Sequence, residues 1–110
     1  MTLEDIARRT KTAIKRKQVV LGKERFEQLA RRQEVALVWF TTDLSKKVFH
    51  NYWKICTKRD IPTIYAGDSE EIGEFTGIPN CKVYVFKRSF SGLNEFLKQI
   101  PEEYIAREEN

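Results

Sequence analysis

Histidine, cysteine, glycine and proline are all scarce in this chain, and each shortage removes a class of function. There is one histidine (His50), two cysteines (Cys56 and Cys81), five glycines and three prolines in 110 residues. One histidine and two distant cysteines are too few ligands for a metal, so neither a metal nor any other cofactor is expected. Both cysteines fall within or beside apolar segments and read as small buried hydrophobes, with no disulfide in a reducing compartment. The glycines form no phosphate-cradling loop, because Gly22 is followed by Lys23 and Glu24.

Long hydrophobic runs are missing too. The longest, Val35 to Phe40, is six residues, against about 20 for a membrane-spanning helix. The first residues carry acids (Glu4, Asp5) where a signal peptide carries bases. A cytoplasmic protein that does not engage a membrane is the expectation. Nor do the polar residues assemble catalytic machinery. His50 sits among charged and aromatic neighbours on a helical stretch. Asp68, Glu70 and Glu71 stand at a helix start, where the macrodipole alone favours acids. Cys56-Thr57-Lys58-Arg59 reads as a helix end and not as an activated thiol. No enzyme activity and no small-molecule substrate are expected.

Aromatic residues and positive charge are plentiful. Seven Phe, four Tyr and two Trp, with 41% hydrophobic residues, suit a folded core and argue against disorder. The net charge of +4 is unevenly spread: Met1 to Gln33 holds ten bases against four acids, and the remainder ten bases against twelve acids. Such polarity is what a polyanion-binding face requires. Two solvated helix faces that happen to be basic would give the same count.

Punctuation divides the chain into alternating helices and strands. Leu3 to Lys17 has apolar residues at helical spacing, with Thr2 as its cap. Gln18 to Leu21 is a short strand ended by Gly22, and Lys23 to Gln33 is an amphipathic helix burying Phe26, Leu29 and Ala30. Val35 to Thr41 reads as a strand covered on both faces. A helix from Leu44 to Arg59 follows, capped by Thr42 or Asp43. The strand Pro62 to Ala66 leads to a short helix capped by Asp68 or Ser69 and stopped at Gly77. The strand Cys81 to Lys87 precedes a last helix, Gly92 to Ile100, stopped by Pro101. Four strands alternating with five helices predict an α/β fold, a three-layer α/β/α sandwich around a four-stranded mixed sheet. Residues 1–101 read as one domain, and the charged tail 102–110 is expected to fray.

The order of elements, the stretch VVLGKERFEQLARR (Val19 to Arg32) and the stretch EEIGEFTGIPNCKVYVF (Glu70 to Phe86) resemble the L-seven-Ae and L-thirty-e ribosomal-protein family. IARRTK near the start and VVLGKE resemble its small bacterial YlxQ-like branch. The resemblance implies an L-thirty-e-like fold and a non-catalytic, ribosome-associated or ribonucleoprotein role, binding a kink-turn or other structured RNA. Ribosomal or ribonucleoprotein proteins are the further partners it implies. The implied RNA-binding residues are Gly22, Lys23, Glu24, Arg25 and Gln28 at the start of the second helix, Arg32 beyond them, and the loop Ile78, Pro79, Asn80. A helix N-terminus offers free N–H groups to phosphate, and an apolar loop can stack on unpaired bases. This chain departs from the family's kink-turn readers, which carry Asn-Glu after the glycine turn and a Lys three residues beyond the Glu. Here those positions hold Glu24, Arg25 and Gln28, so RNA binding is expected without the residues that read tandem sheared G·A pairs. The competing reading is a protein–protein interaction module that keeps the fold without kink-turn recognition, with Phe49 and Trp53 as its docking patch if exposed.

Overall fold

The apolar run VALVWF forms a central strand, and the other elements pack on its two faces. The computed structural model describes residues 1–107. In chain order they form α1 (Leu3–Lys15), β1 (Val19–Leu21), α2 (Lys23–Arg31), β2 (Val35–Phe40), α3 (Lys46–Lys58), β3 (Thr63–Tyr65), α4 (Ser69–Thr76), β4 (Val83–Lys87) and α5 (Leu93–Gln99). The sheet order is β1-β4-β2-β3. β4 is antiparallel to β1 and β2, while β3 is parallel to β2, so the sheet is mixed as expected.

Strand alternation divides the core in two. Leu37, Trp39, Tyr84 and Phe86 face α1, α4 and α5, where Ile6, Ile72 and Phe96 meet them. Val38, Phe40, Val83 and Val85 face α2 and α3, where Phe26, Leu29 and Cys56 close the second core. Val35 shares the face of Val38 and Phe40 because a register shift between Val35 and Leu37 reverses the alternation there.

Helix ends follow local chemistry. Thr2 and Asp5 form a reciprocal capping box at α1, and Asp68 caps α4 by accepting from the Glu71 N–H at 2.8 Å. The start of α3 differs from the sequence reading. Leu44 lies outside the helix, and Ser45 caps it by accepting from the Val48 N–H at 3.2 Å. The reason is tertiary: Leu44 is only 6% exposed, and Asp43 is engaged elsewhere, accepting from the Ser69 N–H and hydroxyl at 3.0 and 2.6 Å. The segment after Pro101 also departs from a fraying tail over its described part. Glu102–Tyr104 forms a 3-10 turn, Ile105 pairs with Ile64, and the Ala106 N–H donates to Thr63 at 2.9 Å. Residues 108–110 of that tail lie outside the described residues.

The helix α3 buries only Cys56 completely. Its aromatics dock by stacking: Phe49 on Tyr65 at 4.1 Å, Trp53 on Phe49 at 6.2 Å and Tyr52 on Phe40 at 6.0 Å between centroids. Among the described residues no large hydrophobic side chain is exposed, so Phe49 and Trp53 are half-buried edges of the core. No helix among them is long and apolar enough to cross a membrane.

Candidate nucleic-acid interface

The strand directions bring distant segments to one end of the sheet. β1 and β2 end there, and β4, antiparallel to both, begins there. Gly22 follows β1 at once, and its N–H donates to the Val83 carbonyl at 3.0 Å. That bond holds the start of α2 beside the loop entering β4. Between them lies a groove of about 480 Å³, lined by Gly22, Lys23, Leu44, Val48, Ile78 and Asn80 among others.

Gly22 has φ 96° and ψ 161°, a conformation that residues with a Cβ rarely adopt. A Cβ there would meet nothing within 4 Å, so the space in front of the turn is open. No side chain caps α2, and the N–H groups of its first turn are left for solvent or a ligand.

The loop on the other wall is held from beneath. The Ile78 N–H donates to the Thr76 hydroxyl at 3.2 Å, and that hydroxyl shares a hydrogen bond of 3.0 Å with the Tyr84 hydroxyl. Burial pushes the Tyr84 phenol up to about 12, so it keeps its proton throughout the physiological range. Gly73 lets the loop lie close to α4, since a Cβ there would stand 3.0 Å from the Ile78 carbonyl oxygen. Asn80 turns the chain with φ 60°.

The structure therefore brings Gly22 and Lys23 together with Ile78 and Asn80. Pro79 is exposed within the same loop, and Glu24, Arg25 and Gln28 are exposed on α2, but none of the four lines the groove. Arg32 is not brought in. It follows the last turn of α2, about 15 Å from Gly22 at 1.5 Å per helical residue. Leu44, Ser45, Val48 and Lys82 also line the groove and were not singled out in the sequence. Lys82 was within reach of the same loop argument. The other three come from the approach to α3, whose position depends on the parallel pairing of β2 with β3. Cys81, expected to be buried, is half-exposed on the groove wall, whereas Cys56 is fully buried.

Asp43 locks the Leu44–Ser45 wall to α4. Partial burial works against its charge, but the hydrogen bonds from Ser69 prevail and hold the carboxyl at about 2, against an ordinary 3.8. A carboxyl depressed on folding contributes stability that is present above its unfolded value and lost as pH falls through the folded one. The stability gap between the protein and Asp43→Asn is therefore expected to be full above about pH 4 and to close towards pH 2. Thermal melts of both proteins across that range check it, and a gap that stays constant would refute the assignment. Among the described residues, no three or more His, Cys, Asp and Glu side chains are grouped to hold a metal ion.

A sheet covered on both faces, with an uncapped helix start and a loop forming a groove at one end, defines a three-layer α/β/α protein with a candidate binding site at one end of its sheet. The chain belongs to the ribosomal protein L7Ae/L30e/S12e/Gadd45 family, whose model matches residues 4–97. No curated protein sequence matches it. Among solved structures it is similar to a protein of unknown function from Bacillus halodurans, with TM-score 0.73 and 18% identity over 84% of this chain and 96% of that one. It is also similar to the Giardia lamblia 15.5kD RNA binding protein, with TM-score 0.71 and 13% identity over 84% of this chain and 78% of that one.

Proposed function

We propose that this protein binds structured RNA without catalysis, as a ribosome- or ribonucleoprotein-associated factor, through the groove between the α2 start and the Ile78–Asn80 loop. The observation that carries the reading is the junction of an uncapped helix N-terminus at an open Gly22 with a loop of mixed apolar and polar character. The first would hold a phosphate and the second an unpaired base. Exposed Lys23 and Lys82 line the groove, Lys82 pairing with Asp43 at 4.0 Å, and exposed Arg25 and Lys46 follow Lys23 and Ser45 within two residues in the chain. Family membership and the similarity to the Giardia RNA binding protein support the same reading. Glu24, Arg25 and Gln28 in place of the family's reading set argue for RNA with unpaired bases in general over kink-turns in particular. The protein-docking alternative has less support, because the aromatics it needs are half-buried against the core.

The test is binding of transcribed ribosomal-RNA hairpins at fixed salt, with and without an internal loop, and with a kink-turn. Wild-type protein is expected to prefer a looped hairpin to a plain duplex and to gain little from a kink-turn. Lys23→Glu with Arg25→Glu is expected to weaken the looped hairpin about tenfold or more, since a charge-assisted contact contributes about 1.5–3 kcal/mol. Unchanged affinity in that variant would place the RNA elsewhere.

A further inference from the structure

The end of the sheet opposite the groove is as basic as the groove rim and is built from different residues. The hydrogen bonds of the sheet gather it: the Lys87 N–H donates to Gln18, the Arg88 N–H to Glu34, the Lys87 ammonium to the Lys17 carbonyl and the Arg88 Nε to the Gln33 carbonyl. The ends of α1 and α2 thereby meet at the end of β4. Lys15, Arg16 and Lys17 come from α1 and its exit, and Arg31 and Arg32 from α2, all exposed. Across a shallow groove, α3 contributes Lys58 and Arg59 at its own end. The acids among these segments are Glu34 and Asp60. Among the described residues none of these bases forms an ion pair, since the ion pairs involve Arg8, Lys82, Lys98 and Arg107. Three helix C-termini supply roughly half a negative charge each, far less than the cations gathered here.

Backbone conformation adds an independent observation. Lys17, Gln33 and Asp60 have φ of 60°, 58° and 55°, and each follows the end of a helix that closes on this pole. The closing bonds run from Gln18 to Ala13, from Glu34 to Leu29 and from Ile61 to Cys56. Glycine is the residue that fits this position without strain. The chain uses glycine for the equivalent turn after α4, at Gly77, but keeps a side chain at these three turns, of which Lys17 adds a cation to the pole while Gln33 is neutral and Asp60 an acid.

We infer that this pole is a second RNA-contacting surface, which holds phosphate backbone irrespective of base sequence. The inference rests on the reading of the protein as an RNA binder but not on the groove being the first site. RNA fits better than a membrane surface because the pole mixes arginines, whose planar forks suit phosphate, with no exposed apolar side chain to insert into lipid. The two surfaces are joined along α2, where Arg25, Gln28 and Arg32 lie at i, i+3 and i+7 on the exposed face. One RNA running along α2 would touch both ends, and Arg32, remote from the groove, belongs to the second contact.

The test compares a plain RNA duplex with the looped hairpin, for the full chain, the groove variant (Lys23→Glu with Arg25→Glu), a pole variant (Arg16→Gln, Arg31→Gln, Arg32→Gln) and Lys17→Gly. The pole variant is expected to bind the duplex about tenfold or more weakly, with a salt slope shallower by about two to three, because three fewer cations release counterions. The groove variant is expected to lose less duplex affinity than the pole variant and more of its preference for the looped hairpin, because its two reversed charges lie at the far end of α2 from the pole. Lys17→Gly removes a charge and a strained conformation together. It is expected to melt at the same or a higher temperature yet bind the duplex more weakly, which a purely structural lysine would not do. A pole variant that is folded and holds the duplex with wild-type affinity and salt slope overturns the inference. Loss of duplex binding in the pole variant, with hairpin binding unchanged in the groove variant, would uphold the pole and refute the groove. Duplexes of increasing length, with stoichiometry read by sedimentation, distinguish one RNA spanning both surfaces from two RNAs bridged by one protein.

Discussion

Trp39→Ala is expected to destabilise the fold by about 3–5 kcal/mol, the range for deleting a buried large aromatic. Trp39 is fully buried in the middle of the sheet, 5.4 Å from the Tyr84 ring between centroids. Its indole N–H donates to the Ala66 carbonyl at 2.9 Å. Alanine would leave a cavity beneath α1 and α4 and strand that carbonyl without its donor. A domain of this kind holds about 5–15 kcal/mol in all, so the variant would lose a large share of its stability. Trp39→Phe keeps most of the volume and removes the hydrogen bond, with an expected loss of about 1–2 kcal/mol. Urea denaturation of the three proteins separates the packing from the hydrogen bond. A loss below about 2 kcal/mol for Trp39→Ala would mean that the core collapses into the space, contrary to its close packing.

Gly67→Val is expected to cost about 2–4 kcal/mol, from left-handed strain and overpacking together. Gly67 has φ 70°, and a Cβ there would lie 2.7 Å from Ile72 Cδ1 and 3.4 Å from Leu3 Cδ1. Ile72 is fully buried and has nowhere to withdraw. The Gly67 carbonyl also accepts from the Thr42 N–H at 2.7 Å and from the Thr42 hydroxyl at 3.1 Å. Moving it disturbs the turn that carries Leu44 and Ser45 to the groove, so RNA affinity should fall with stability. Gly22→Ala is the control, because its Cβ would meet no neighbour and only the conformational strain of its extended positive-φ backbone, about 1–3 kcal/mol, applies. Thermal melts at neutral pH rank the two. Equal losses would show that the Ile72 contact is relieved by a small shift of α4.

The elements were legible in the sequence where the cause is local. Thr2 with Asp5, Asp68 with Glu71, and Gly77 act within a turn of their own helix, and each ends or starts a helix where the pattern placed it. The doubly covered β2 was legible because no face of it could meet water. The start of α3 was not. Thr42, Asp43 and Ser45 are all competent caps, and the choice among them fell to Ser69 on a segment 26 residues away in sequence, which takes both oxygens of Asp43. The ordering of Ile105 against Ile64 was likewise hidden, since it depends on β3 being an edge with free backbone groups.

The Gly22 turn and the Ile78–Asn80 loop were each pointed to by the family resemblance, with chemistry in agreement: a helix start without a capping side chain, and an apolar loop between a glycine stop and a strand. Their meeting was not. They stand more than 50 residues apart, and only the antiparallel pairing of β1 with β4 sets Leu21 opposite Tyr84 and so puts both at one end of the sheet. The same pairing sends the ends of α1 and α2 to the other end, turning basic residues that read in sequence as one block into two surfaces. Local interactions specify which residues are helix, strand or turn, because they are settled within a few residues. Which turns become neighbours is decided by strand order and direction, which depend on how both faces of one sheet are buried at once.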